Sequence, residues 1–281
     1  MQVGVGLPSG IPGATGDLLL AWAERADAGP FSSLGVIDRL PYDSFEPLVT
    51  LGAAAAVTRR VRLATMIVVA PLRNTALLAK SLASLDALSG GRLVVGVGVG
   101  ARHEDYQVAG VDYRRRGRVL SEQLAALRAL WEGSPAVPRA LRPQGPPLLV
   151  GGLTDEAFAR AARYADGYVH GGGPPRAFAR AADRARAAWI DAGRPGEPLL
   201  WGQGYFALGD DATVDAGIRY LKDYYAFTGP FAERIAAALL TTPQAIVQFI
   251  RGYADAGCHE LVLFPAVADL QQLERLAEVV A

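Results

Sequence analysis

The sequence predicts an α/β protein folded as one (β/α)₈ TIM barrel, with an extended segment after strand four and another after strand seven. Three observations point there. Short apolar stretches alternate with helical ones along the whole chain, the order produced by parallel strands with helical crossovers. Eight such units fit in 281 residues, about 35 residues each, which suits a (β/α)₈ barrel. No stretch of linker composition divides the chain, so residues 1–281 read as one domain rather than as the rival, an open doubly wound sheet.

Val3–Leu7 reads as strand one, closed by Pro8-Ser9-Gly10. Leu18–Ala28 has helical apolar spacing, with Asp17 as its expected N-cap. Ser33–Ile37 is strand two and ends on Asp38; Phe45–Val57 is an Ala-rich helix; Val61–Val69 is strand three, stopped by Pro71. Thr75–Leu88 is a helix ended by Ser89-Gly90-Gly91, a C-terminal glycine signal.

Strand four lies in Gly91-Arg92-Leu93-Val94-Val95-Gly96-Val97-Gly98-Val99-Gly100 and delivers a polar loop, Ala101–Tyr106. Its first half has the unbroken apolar character of a strand buried on both faces. Its second half alternates glycine with valine, so something can approach the backbone closely on the glycine side. The spacing is G-x-G-x-G and no helix opens on the last glycine, so it is not a dinucleotide fingerprint.

Arg118–Trp131 is a helix and Ser134–Pro147 a Pro-rich connection. Leu148–Val150 is strand five, followed by Gly151-Gly152-Leu153-Thr154 and a helix over Asp155–Tyr164. Gly167–His170 is strand six, and Gly171-Gly172-Gly173-Pro174-Pro175 leads into an Arg/Ala-rich helix whose Arg176, Arg180, Arg184 and Arg186 read as a solvated face. Leu199–Leu208 is strand seven, with helical tracts over Ala212–Phe227 and Phe231–Leu239 behind it. Thr242-Pro243 opens a further helix. Glu260–Phe264 is strand eight and Leu270–Val280 the closing helix.

Composition narrows the function. Lys+Arg and Asp+Glu both number 28, which asks for neither nucleic acid nor an anionic membrane as partner. The single cysteine, Cys258, excludes an internal disulfide. With no visible secretory signal and no apolar run long enough to span a bilayer, a soluble cytoplasmic protein is expected. There is no H-E-x-x-H, no Cys/His cluster at ligand spacing and no G-x-S-x-G elbow, so neither a metal site nor a serine nucleophile is expected.

In a barrel of this kind the site lies at the carboxyl ends of the strands. That rule sets aside His259, before strand eight, and with it Cys258. It selects Asp38 with Arg39, His103 and His170. Each has a plain alternative, since Asp38 can serve simply to hold backbone amides and His170 to cap a turn. A mouth rich in glycine and poor in acid–base groups suggests that a cofactor carries the chemistry. Gly151-Gly152 before a helix offers free amides at a positive helix end, a seat for phosphate.

Leu88–Gly100, Glu104-Asp105-Tyr106, Ala109-Gly110-Val111, Arg114–Arg118, Glu122 and Leu130-Trp131 together resemble the bacterial luciferase-like flavin-dependent oxidoreductases. Val61–Thr65, Pro71-Leu72-Arg73-Asn74, Leu149–Gly152 and Ala165-Asp166-Gly167 extend the resemblance over almost the whole chain. It implies a (β/α)₈ barrel that binds reduced FMN, or alternatively the deazaflavin coenzyme F-420, at the strand carboxyl ends. It would place Asp38 beside the ring system and Thr65, Met66 and Ile67 against its face, where the family often has a bulge with a non-prolyl cis peptide. Gly98, Val99, Gly100, Arg102 and His103 would follow the cofactor's side chain; Gly151, Gly152 and Leu153 would hold its phosphate. His170 completes the set.

The chain departs from that family at Arg39, Leu40-Pro41-Tyr42, Ala64 and Ala101, which weighs against deazaflavin sugar-dehydrogenase chemistry. The leading expectation is a monooxygenase using reduced FMN on a small-molecule substrate, served by a separate flavin reductase, with His103 handling protons. F-420-dependent hydride transfer and a non-catalytic flavin-binding homologue stand beside it. Tyr42, Trp201, Tyr205, Tyr224, Tyr225 and Phe227 are candidates for an apolar pocket, and Asp210–Thr242 for a lid. The resemblance also implies a homodimer, formed through Leu48, Leu51 and Ala53–Val57.

Overall fold

The protein, described here from a computed structural model for residues 1–138, 141–142 and 144–281, is a closed parallel barrel. Its strands are β1 (Gln2–Gly6), β2 (Ser33–Val36), β3 (Arg62–Val69), β4 (Leu93–Gly98), β5 (Leu148–Gly151), β6 (Gly167–Val169), β7 (Leu199–Phe206) and β8 (Glu260–Pro265). Each pairs with the next, and β8 closes on β1. Parts of the Ser134–Pro147 connection, residues 139, 140 and 143, lie outside the described residues.

The helices are α1 (Gly16–Ala28), α2 (Pro47–Val57), α3 (Thr75–Leu88), α4 (His103–Ala109), α5 (Arg116–Trp131), α6 (Asp155–Tyr164), α7 (Pro175–Asp191), α8 (Asp211–Tyr224), α9 (Phe231–Ala236), α10 (Pro243–Asp255) and α11 (Leu270–Val280). Two expectations need correction. Thr15, not Asp17, caps α1, because only the residue before the first turn can turn its oxygen back to a free amide; its hydroxyl takes the Leu18 amide. The run after β4 is not a loop throughout, since residues 103–109 close the short helix α4, stopped by Gly110 at φ 67°.

Alternation along each strand sorts the apolar residues into two layers. Val95, Val97, Leu148, Val150 and Leu263 face the helices. Val94, Leu149, Val169, Trp201, Tyr205, Val262 and Phe264 fill the barrel. On β3 the alternation breaks: the register with β4 shifts between Thr65 and Val68, and the Met66–Ile67 peptide is cis. Met66 and Ile67 consequently both turn into the barrel layer.

The glycine side of β4 is explained by this bulge. A Cβ at residue 96 would lie 2.2 Å from the Thr65 carbonyl oxygen, and one at residue 98 would lie 2.9 Å from Ile67 Cδ1. What approaches β4 closely is the neighbouring strand. Thr65 Oγ1 closes the contact by donating to the Gly96 carbonyl at 2.7 Å.

The barrel-wall helix after β7 is α10, which packs on α7 and α11. Between them, α8 and α9 form an insertion whose ends meet at the Phe206–Leu240 bridge. Tyr220, Leu221, Tyr224, Ala236 and Leu239 of this insertion join the barrel-interior cluster. It lies over the mouth on the side of β1, β2, β7 and β8.

Candidate active site

With the insertion covering one half of the mouth, the other half keeps accessible surface at Ile67, Val99, Gly100, Gly151, Gly152, Gly171 and Gly172. Ile67, after the cis peptide, supplies the floor, and its side chain reaches β4 at Gly98 and β5 at Gly151. Gly151 itself has ordinary room for a Cβ, 3.4 Å from Ile67 Cγ2 and 3.4 Å from the Val169 carbonyl. Gly152 has none: its φ is 140° and a Cβ would lie 2.7 Å from that of Ala157. Gly152 is therefore fixed by the strand-to-helix turn as well as by any ligand.

Past Gly152, α6 opens without a side-chain cap; the Thr154 carbonyl takes the Ala157 amide at 3.0 Å, which leaves those of Asp155 and Glu156 at the helix start. Asp155 and Glu156 stand in that first turn, with Arg184 on Asp155 at 2.6 Å and on the Leu153 carbonyl at 2.9 Å. Two arginines of the presumed solvated face therefore have partners: Arg184 here, and Arg186 on Asp183 and Glu197. Arg184 is thus a cation at the start of α6 whose charge is already paired with Asp155.

Arg102 reaches over the mouth from β4. It is 8% exposed, donates to the Tyr224 carbonyl at 3.4 Å, and lies over the rings of Tyr224 at 4.5 Å and Phe227 at 4.4 Å. Arg39 comes from β2 to the same carbonyl at 3.2 Å, pairs with Glu104 at 2.8 Å and covers the Tyr42 ring at 4.0 Å. Tyr42 donates to Asp223 at 2.5 Å, and the hydroxyls of Tyr205 and Tyr225 lie 2.8 Å apart. Four of the pocket aromatics, Tyr42, Tyr205, Tyr224 and Tyr225, thus form the roof and its fastening, while Trp201 sits deeper, 2% exposed.

Three polar residues selected by strand ends have other surroundings. Asp38 follows the inward-facing Ile37 and accepts from the Val69 amide at 2.8 Å and from Arg73 at 2.6 and 3.1 Å. Both oxygens are engaged. His170 follows the inward-facing Val169, so its ring packs on Phe178 of α7 and on Tyr168, and its Nδ1 accepts from the Gly172 amide at 3.1 Å. Burial pushes its pKa down to about 4, so the ring is neutral at pH 7. His103 is exposed at the start of α4 and stacks on Tyr113 at 3.6 Å. None of the three is brought to the floor around Ile67. At the opposite end His259 accepts from the Leu200 amide, and burial pushes the Cys258 thiol up to about 12.

One residue of the mouth escaped sequence reasoning. Gln203 lies between Trp201 and Tyr205 on the inner face of β7 and is 4% exposed. Its Nε2 donates to the Gly171 carbonyl at 3.2 Å, whereas its Oε1 is buried without a partner among the described residues. The signal was available: in Trp201-Gly202-Gln203-Gly204-Tyr205 the large residues share one face. Arg39 Nε and Arg102 Nε are likewise buried and without a partner among the described residues.

A closed eight-stranded barrel with a bulged third strand and a glycine-lined mouth defines the class. Residues 1–252 match the model of the family described as luciferase-like monooxygenase, and the chain belongs to that family. An uncharacterized protein of Mycobacterium tuberculosis is 34% identical over 235 residues, covering 72% of this chain and 80% of its own. Among solved structures, monooxygenase RslO1 from Streptomyces bottropensis superimposes with a TM-score of 0.78 at 23% identity, covering 99% of this chain and 97% of its own. An F420-dependent secondary alcohol dehydrogenase, in complex with an F420-acetone adduct, gives the same TM-score at 18% identity, covering 100% and 99%. At these identities the two structures establish the fold.

Proposed function

We propose that the chain is a flavin-dependent oxidoreductase, a monooxygenase that takes reduced FMN from a separate reductase and acts on a small apolar molecule. The observation that carries this is the chemistry of the mouth: an apolar floor beneath an aromatic roof, with Asp38 engaged by Arg73. Such a site excludes water and orients its guests but does little proton chemistry of its own, so the redox step belongs to a cofactor. Reduced flavin, when bound, supplies the electrons that activate dioxygen. The chain's residues hold the ring over Ile67, offer Arg102 to an anionic tail and shield the mouth with Tyr224 and Tyr225.

Anaerobic titration with reduced and oxidised FMN and with coenzyme F-420, followed by fluorescence and absorbance, tests the reading. Tighter binding of reduced FMN, and oxygen uptake with a flavin reductase present, is the expected result. Exclusive binding of F-420 would replace it with hydride transfer on the same barrel. Binding of FMN with no oxygen uptake for a broad set of apolar substrates would leave a flavin-binding homologue without turnover.

A further inference from the structure

Resting on the flavin reading, the geometry points to Gln203 as the residue that recognises the imide edge of the ring. Its carboxamide faces the barrel interior from β7, between Trp201 and Tyr205, and is almost wholly removed from water. A carboxamide offers one acceptor oxygen and two N–H donors. One N–H goes to the Gly171 carbonyl at 3.2 Å, which fixes the amide's orientation. The oxygen has no partner among the described residues. A buried amide oxygen left so is costly, and sites built around one select ligands that satisfy it.

The ligand group that completes Gln203 presents an N–H beside a C=O. The N–H satisfies Oε1, and the adjacent carbonyl accepts the second N–H of the same amide, closing a reciprocal pair. The pyrimidine edge of an isoalloxazine has this pattern at N3, between two carbonyls, and a 5-deazaflavin has the same edge. Gln203 therefore recognises what the two cofactor classes share and does not choose between them. His170, turned to the helix layer, stays outside this contact.

The test is the affinity of purified protein for riboflavin and for 3-methylriboflavin, in which the N–H is replaced, read by quenching of flavin fluorescence. In the unmodified chain, N3 methylation should weaken binding about tenfold or more. Gln203→Leu should weaken riboflavin binding and bring the two ligands within about threefold of each other. Gln203→Met, closer in volume, gives the same comparison if the leucine variant does not fold. Equal affinity of the unmodified chain for both ligands overturns the assignment. So does a methylation penalty that survives undiminished in the variants, because the methyl group would then be meeting a wall and not replacing a donor. Failure of riboflavin, FMN and the deazaflavin chromophore to bind at all would instead remove the flavin reading on which the assignment rests.

Discussion

Asp38 gives both carboxylate oxygens to Arg73, at 2.6 and 3.1 Å, while its side chain is only 3% exposed. Removing one member of a buried, hydrogen-bonded pair costs about 3–5 kcal/mol, because the other is left charged without compensation. Arg73→Met should lower stability to urea by that amount, and Asp38→Asn added to it should recover part of the loss. A loss below about 1 kcal/mol would mean that the pair is not a structural fastening, and would return Asp38 to the candidates for chemistry.

Arg39 and Arg102, from two different strands, converge on the carbonyl that ends α8. Cations there also meet the negative end of the helix dipole. Hydrogen bonds to charged groups contribute about 1.5–3 kcal/mol each. Replacing both arginines with leucine should therefore speed amide exchange across 221–240 by about tenfold or more, with little change in β7 or β8. Unchanged protection would show that aromatic packing alone holds the insertion. Exchange with and without FMN then reads whether the segment acts as a lid.

Burial holds the His170 pKa at about 4, below its ordinary value of 6.5. The unfolded chain then binds the proton more readily. Stability from this residue is complete above about pH 6.5 and is lost as pH falls toward 4, by about 3 kcal/mol at most. Carboxylates titrate in the same window, so the measurement is a difference: the pH dependence of unfolding for the unmodified chain against His170→Gln. Parallel curves would mean that the ring is solvated when charged.

How much of this was legible follows from the pleat. Strand order, the carboxyl-end rule and the family resemblance located the mouth and the bulge at Thr65–Ile67. Position at a strand end does not say which way a side chain turns. Ile37 and Val169 face inward, and so Asp38 and His170, one step later, turn aside, Asp38 to the Val69 amide and Arg73 and His170 to Phe178 of α7. Gln203, within a strand and not at its end, faces inward. The G-x-G-x-G spacing was correctly read as close approach, but a bulge in a neighbouring strand has no local signature in β4. The insertion's place over the mouth was visible in its length and position, while its fastening by Arg39 and Arg102 depends on long-range geometry.

We propose that the chain pairs with a second copy through α2 and α3. Over Pro47–Val57, α2 carries no charge, and Val49 is 72% exposed beside Leu77 at 67% and Leu88 at 78% on α3. These residues border a groove of about 470 Å³. Leu51, Ala54 and Ala55, from the expected contact face, are instead buried against the barrel, so the outward residues Val49, Ala53 and Ala56 would carry the contact. Sedimentation at micromolar concentration should show a dimer, and Val49→Glu with Leu77→Glu a folded monomer. A monomer before any substitution would refute the pairing.

The floor of the mouth gives the last prediction, in which two glycines one repeat apart should behave differently. At Gly96 a new Cβ would meet backbone, the Thr65 carbonyl oxygen at 2.2 Å, and the bulge cannot yield without breaking its register with β4. Overpacking of this kind costs about 1–3 kcal/mol and occasionally more, so Gly96→Ala should fall at the upper end of that range. At Gly98 the obstacle is Ile67 Cδ1 at 2.9 Å, the free end of a side chain that still has accessible surface. Ile67 can turn aside, so Gly98→Ala should cost less than about 1 kcal/mol. The displaced isoleucine would, however, rise into the space above the floor, and riboflavin affinity should fall several-fold while stability holds. Thermal unfolding and flavin titration on the same two variants separate the effects. Equal destabilisation by both would mean that Ile67 is locked in place. Unaltered flavin binding by Gly98→Ala would remove Ile67 from beneath the ring.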